Sequence, residues 1–335
     1  MYNTSMMDFT EQLALVREQN EEYLGGPMEH VLMLKDAPVF NAANGEVYNE
    51  QLLPGCLRKD PRTEIFAKWM SARYSTFSNA EARMLFTPSF GHSKRQVIDS
   101  KTRALSLSDC YWVKNKEDSV TFKEISPYYN AYWTGTGRYE GGPIPTLYVN
   151  GVLSKKWDSA EWLTKFGGNI EMEYECSLLF SKFISSVTII KKENNLKIRN
   201  FTDTDIMFEP ANLSGIFGID DVIADLWLIE KIFGRDGAMM LLLDSIIGNV
   251  DRHTGNFGYL RDTNTGAYIG MAPMFDWDRA GGDDECVLIS RLAEFIKGHT
   301  EHLDMISEVL RKINSATDNG YFRKRADKLK YIFKG

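Results

Sequence analysis

The stretch from Ile246 to Asp278, IIGNVDRHTGNFGYLRDTNTGAYIGMAPMFDWD, decides how the rest of the chain is read. It opens on the end of an apolar run. It then places a carboxylate, a guanidinium, an imidazole and a carboxamide (Asp251, Arg252, His253 and Asn256) between Gly248 and Gly258. Asp251 and Asn256 have the spacing D-x-x-x-x-N. An aspartate at the start of a loop and an asparagine one turn later can converge on one phosphoryl group, the first as base toward a hydroxyl, the second as an oxygen ligand for magnesium. That chemistry needs a second metal carboxylate. Asp276 follows Asn256 by twenty residues, and the turn signal DTNTG between them predicts a hairpin that returns Asp276 to the loop. The D-x4-N spacing alone is a weak signal. With the apolar helix before it, the hairpin and the second aspartate, it points to phosphoryl transfer.

Composition sets the limits. A chain of 335 residues favours two domains or one bilobal unit over a single small core. With 43% hydrophobic and 25% charged residues, large-scale disorder is not expected. The 39 basic and 46 acidic side chains leave a charge of -7, so neither nucleic acid nor an anionic membrane is expected as a direct partner. The longest strongly apolar stretch, AMMLLL at 238–243, is far too short for a membrane span. The N-terminus, MYNTSMMDFTEQLALVREQNEEYLGG, lacks the basic start and apolar centre of a secretory signal. Cys56, Cys110, Cys176 and Cys286 lie far apart with no CxxC pair, which argues against zinc or a disulfide framework. A reducing compartment is expected, and the cytoplasm is the natural one.

Residues 8–24 read as a helix closed by Gly25-Gly26. HVLMLKDAPVFNAANGEVYNEQLLP reads as short strands, and DPRTEIFAKWMSARYS as a helix starting at Asp60-Pro61. From about residue 105 the chain is β-rich and aromatic: DCYWVK and VTFKEI are expected strands, and LYVNGVLSKKW with EWLTKF a hairpin turning at Asp158-Ser159-Ala160. NIEMEYECSLLFSKFISS is a helix capped by Asn169, and VTIIKKENNLKIRNFT a β pair. DIMFEPANLSG then leads into a mainly helical remainder. The expectation is an α+β fold of two lobes joined near 208–214. An N-terminal α/β segment (1–100) packs on a β-rich lobe (101–210), and a helical lobe (211–335) carries the D-x4-N loop. Clefts between lobes are where small-molecule sites form.

GNVDRHTGNFGYLRD and IGMAPMFDWD resemble the catalytic core of the HipA-like serine/threonine kinases, the family of bacterial toxin-kinases and their short stand-alone relatives. ALSLSDCYWVK (104–114), YVNGVLSKKWDSAEWLTKFGG (148–168) and MFEPANL (207–213) are similar to segments of the stand-alone group. The likeness covers roughly residues 100–290, and more loosely the N-terminal part. It implies a bilobal protein-kinase-like fold, ATP and Mg2+ as cofactors, and a protein serine or threonine as acceptor, the enzyme itself included. By resemblance Asp251 is the catalytic base, Asn256 and Asp276 are the magnesium ligands, and Lys165 in WLTKF holds the ATP phosphates. Its partner would be a glutamate of the next helix, Glu175 first and Glu171 second. Gly151 and Lys155 or Lys156, in NGVLSKK, would take the place of a phosphate-covering loop, although the repeated glycines of ordinary kinases are missing there. Glu209, in FEP, would mark the lobe connector whose backbone meets adenine. Asp276-Trp277-Asp278 stands where ordinary kinases carry Asp-Phe-Gly, with Asp278 the second choice as ligand.

Arg252 and His253 are expected to buttress the loop through backbone carbonyls. His299 and His302 in GHTEH, the turn-rich GTGRYEGG, and the aromatic residues at 111, 112, 132, 133, 157 and 162 are expected to be structural. Two rival readings stand beside the protein kinase. GNVDRHTGN also resembles the G-x-D-R-H-x-x-N loop of phosphoinositide kinases, but no basic membrane-facing cluster accompanies it. A catalytically weak kinase-like binding module of a toxin–antitoxin or phage-derived system would not need Asp251, Asn256, Asp276 and Lys165 all intact.

Overall fold

The computed structural model describes residues 30–73, 103–115, 119–129, 146–149, 152–218, 226–282 and 300–334, and among these the strands form three antiparallel sheets. β1 (His30–Leu34), β2 (Ala37–Asn41) and β3 (Tyr111–Asn115) make the first, in the order β2-β1-β3. Only Lys35 and Asp36 link β1 to β2, and Lys35 takes φ 51° to close that turn. α1 (Gly55–Lys59) and α2 (Thr63–Arg73) cover this sheet. Leu32, Leu34, Phe40, Trp69 and Trp112 are buried in its core. Each such side chain contributes roughly 1.5–3 kcal/mol on full burial. Met207 and Leu213, distant in sequence, belong to the same core.

Two expectations change here. VTFKEI is not a strand: residues Phe122–Ile125 form a helical turn, α3. Thr121 and Glu124 make a reciprocal capping box at its start, a signature that outweighs the β-branched residues before it. DCYWVK is a strand, but it pairs with β1 rather than with the later sheet. The N-terminal unit therefore extends past residue 100, at least to Asn115. The expected helix at 8–24 lies outside the described residues.

The second sheet contains β4 (Thr146–Val149), β5 (Val152–Trp157), β6 (Trp162–Phe166), β7 (Ile189–Lys191) and β8 (Asn195–Arg199), ordered β4-β5-β6-β8-β7. LYVNGVLSKKW is thus two strands, not one, and most of the expected phosphate-covering loop is strand β5. α4 (Ile170–Phe180) follows β6, and Asn169 caps it by accepting the Met172 N–H at 3.2 Å. The third sheet holds β9 (Ile206–Pro210), β10 (Gly258–Asp262) and β11 (Tyr268–Met271), ordered β11-β10-β9. The expected hairpin is β10–β11, with Asp262 Oδ1 accepting the N–H groups of Asn264 and Thr265 at its turn. α5 (Leu226–Ile247), bent at Gly234, packs with α7 (Gly320–Lys334), which in turn packs with α6 (Leu303–Ala316). Leu242, Ile246, Phe257, Met274, Trp277, Ile313 and Phe322 share this second core with Leu179 and Phe180 of α4.

The connector also moves. Chain leaves the five-stranded sheet at Arg199, and β9 already pairs with β10, so the link between the two sheets is 200–205 and not 208–214. FEP lies inside a strand because Met207, Phe208 and Glu209 are all buried, on both faces. No helix among the described residues is long and apolar enough to cross a membrane.

Candidate active site

The D-x4-N loop starts where α5 ends. Gly248 takes φ 65° there, and a side chain in its place would strike the Tyr321 hydroxyl. Asp244, the one acid in the apolar end of α5, is buried and receives both arms of Arg252, Nε at 2.8 Å and Nη2 at 3.0 Å. The remaining arm of Arg252, Nη1, donates to the carbonyls of Asn256 (2.9 Å) and Phe275 (3.0 Å). One guanidinium thus joins the helix, the loop and the segment that ends in Asp276. Bidentate, charge-assisted bonds of this kind fix orientation as well as position. His253 acts differently from expectation: its Nδ1 accepts the Gly255 N–H at 3.1 Å rather than supporting a carbonyl. Asn256 is buried and donates Nδ2 to the Asp251 carbonyl at 3.3 Å, which ties the two ends of the loop together. Asp251 itself is exposed.

Asp276 is held from two sides. Met274 exchanges backbone bonds with Ser185 and Val187, which follow α4. Asp276 then adopts φ 61°, a conformation uncommon for a residue with a Cβ, while Trp277 is fully buried beside Phe180. The Asp276 carboxylate meets two ammonium groups, Lys165 Nζ at 3.0 Å and Lys155 Nζ at 3.3 Å. Lys155 and Lys165 are direct cross-strand neighbours on β5 and β6. Like charges in that register repel, so their placement is stable only with an anion between or beside them. Burial alone would raise the Asp276 carboxyl, but Lys155 and Lys165 reverse this and hold it well below the usual carboxylate range. Burial likewise opposes the charge on Lys165, and Asp276, Glu173 and Asp278 more than restore it, leaving its pKa above the usual value.

The partner of Lys165 in α4 is Glu173, at 2.7 Å, with side-chain exposures of 4% and 2%. This corrects both expected partners. Glu175 instead accepts from Asn319, which immediately precedes α7, and Glu171 pairs with the exposed Lys191. The register of α4 explains the choice: Glu173, Cys176, Ser177 and Phe180 form one buried stripe at helical spacing, and Glu171 and Glu175 fall outside it. That stripe was readable, since Cys176, Leu179 and Phe180 mark the inner face. Burial raises the Glu173 carboxyl, with Lys165 only partly opposing it, and Glu173 Oε1 has no hydrogen-bond partner among the described residues.

Of the remaining expected residues, Lys155 joins the cluster, while Lys156 is registered opposite Thr164. Gly151 lies outside the described residues. Glu209 lies inside strand β9, with its carboxylate committed to other groups. Its carboxylate takes the Gly55 N–H at 2.7 Å, Arg261 Nη1 at 2.9 Å and the Tyr268 hydroxyl at 2.7 Å, and its strand pairs with β10 at Tyr259. On the true connector, Asn200, Thr202 and Asp203 have committed amides, whereas the N–H and C=O of Phe201 meet no partner among the described residues. The Phe201 ring lies 5.7 Å from Phe275, the neighbour of Asp276. Asp278 brings a further carboxylate to 3.5 Å from Lys165 and is 37% exposed. Asn256, Asp276 and Asp278 offer the hard oxygen donors that suit magnesium. His302 Nε2 lies 2.9 Å from Glu230 Oε1, a pairing that accounts for its burial, although Glu301 is close enough to complete a three-ligand group.

No protein-family model matches this chain, and no curated protein matches it in sequence. Among solved structures, HipA of the Shewanella oneidensis MR-1 toxin–antitoxin system, in complex with HipB and operator DNA, aligns over 91% of this chain and 95% of its own, with a TM-score of 0.54 and 12% identity. The Helicobacter pylori proinflammatory kinase CtkA aligns over 56% of this chain and 89% of its own, with a TM-score of 0.36 and 18% identity. The chain has a HipA-like fold.

Proposed function

We propose that this protein is an ATP- and magnesium-dependent phosphotransferase acting on a serine or threonine hydroxyl of a protein, its own chain included. The observation that carries the reading is Lys165: an ammonium buried between Glu173 and Asp276, on a segment that Arg252 ties to the Asp251–Asn256 loop. Structural ion pairs do not need a second lysine opposite the first, and Lys155 supplies one. Paired lysines suit the oxygens of a polyphosphate, which would take over from Asp276 as their anion.

In this reading Asp276 and Asn256 Oδ1 would hold the metal, with Asp278 available beside them. Magnesium, when bound, supplies neutralisation of charge on the phosphate oxygens. Glu173 keeps Lys165 charged and aimed. Asp251, exposed at the loop's outer end, orients the acceptor hydroxyl and takes its proton as the oxygen attacks the γ-phosphorus and the bond to ADP breaks. The free N–H and C=O of Phe201 match the adjacent acceptor and donor on the adenine edge. A serine or threonine acceptor follows from the resemblance of GNVDRHTGN and MAPMFDWD to the HipA-like kinases.

Asp251→Asn separates this from a purely structural loop. Because it preserves shape and removes the proton-accepting charge, transfer of labelled phosphate should fall about a hundredfold or more, with ATP affinity and melting temperature close to wild type. A stable variant that transfers phosphate at the wild-type rate sinks the proposal.

A further inference from the structure

The outer side of the connector is occupied by the N-terminal unit. The carbonyl of Leu107 receives Asn200 Nδ2 at 3.0 Å and lies 2.6 Å from the Thr202 hydroxyl. The Tyr128 hydroxyl is 3.1 Å from the same Thr202 oxygen. Thr202 has one hydroxyl proton, which faces two acceptors, the Leu107 carbonyl and Asn200 Oδ1 (2.8 Å), so Tyr128 is its donor. Further along, the Cys110 thiol reaches the Asp203 carbonyl at 3.6 Å, and the Ser108 carbonyl takes the Phe208 N–H at 2.7 Å. Asn200 also binds back to the turn of the β5–β6 hairpin, through the carbonyl of Ala160 at 2.9 Å. Residues 107–110 thus run beside the connector and bond to it at successive positions, with Leu107 buried against Tyr128, Trp157 and Ala160.

A link of six residues between two sheets is free to bend unless its polar groups are bound. The bound groups face the N-terminal unit, the connector itself, the β5–β6 turn at Ala160 and Glu161, Ile206 of β9 and Thr263 beyond β10, and among the described residues Phe201 alone of the six keeps both main-chain groups open. We infer that the N-terminal unit is a splint for the connector, and that Thr202, 6% exposed, is the positioning residue that presents Phe201 to a nucleotide base. Thr202 is placed for this because it adjoins Phe201 and bonds to two separate segments of the unit. The nucleotide part rests on the phosphotransfer reading; the splint itself does not.

The test uses the full chain and Thr202→Val, which keeps the shape and removes the hydroxyl. Hydrogen exchange of the amides at 200–208 reads the splint without any ligand, and ATP titration with turnover kinetics reads its consequence. Thr202→Val should lose protection across 200–208 and weaken ATP binding and KM about tenfold or more, since small misplacements are costly in a preorganised site. Rate at saturating ATP should change little, and Thr202→Ser should restore both readouts. Tyr128→Phe should show the same pattern at smaller amplitude, and it carries the test if Thr202→Val does not fold. A lowered melting temperature with unchanged exchange at 200–208 and unchanged ATP affinity would falsify the splint. If wild-type protein binds no ATP, the phosphotransfer reading fails, and the exchange experiment alone upholds or overturns the splint.

Discussion

Two of the buried ion-pair clusters among the described residues, around Glu209 and around Lys165, are built on opposite rules. Around Glu209 the carboxylate is filled: Arg261, Tyr268 and the Gly55 N–H donate to it, while Arg261 also reaches Tyr111, Gln51 and Gly266. Arg261 is fully buried. Gly266 brings its turn so close to the Gln51 carbonyl that a Cβ would overlap it, and Gly55 packs in the same way on Ser214. Around Lys165 two ammonium groups face three carboxylates, Glu173, Asp276 and Asp278. One carboxylate oxygen there is unpaired among the described residues, and one acid reaches solvent. A closed, charge-balanced cluster holds parts together. An open one with excess negative charge and exchangeable partners can accept a cation and trade anions, which is what a catalytic site requires.

The contrast breaks most visibly at Glu209. Glu209→Ala leaves Arg261 buried without its counter-charge, and urea unfolding should show a loss of about 3–5 kcal/mol. A loss below about 1 kcal/mol would mean the cluster is not closed as described. Lys165→Met should do the reverse. The raised carboxyl of Glu173 can take a proton, so the stability change stays small while ATP affinity, measured by calorimetry, falls about tenfold or more.

Acid should sharpen the comparison further. The folded-state pKa of Asp276 is depressed below its ordinary value of 3.8, so its contribution to stability is complete above that value and is lost as pH falls below it. The urea midpoint of wild type should drop as pH falls below about 4 and go on falling with further acid, and Asp276→Asn should flatten that slope. An identical slope in both proteins would place the acid sensitivity elsewhere. The smallest effect is expected at Glu175. Glu175→Gln should change stability by about 0.5 kcal/mol or less and leave ATP affinity alone, whereas Glu173→Gln should weaken ATP binding. Equal effects of the two would undo the assignment of Glu173.

The D-x4-N loop, its hairpin and Asp276 were legible because their meaning depends on short spacings and turn chemistry, which sequence carries directly. Lys165 was legible for a similar reason, as a strand lysine before a capped helix. Glu173 was within reach, since the apolar stripe of α4 names the inner face, but three glutamates in five residues hid it. The connector was misread because buried strand residues at 206–210 look the same whether they end one sheet or begin another.

By itself, then, the sequence determined the local elements and the chemistry they bear: turns at glycine, caps at Asn169 and Thr121, and the acidic and amide groups of the loop. Tertiary structure decided what meets what. Strand partners are chosen by hydrogen bonds between segments far apart in the chain, so nothing local told β3 to join β1 or β9 to join β10. Burial decided the rest: it assigned Glu209 to Arg261 and Glu173 to Lys165, because a charge taken out of water must find its opposite nearby.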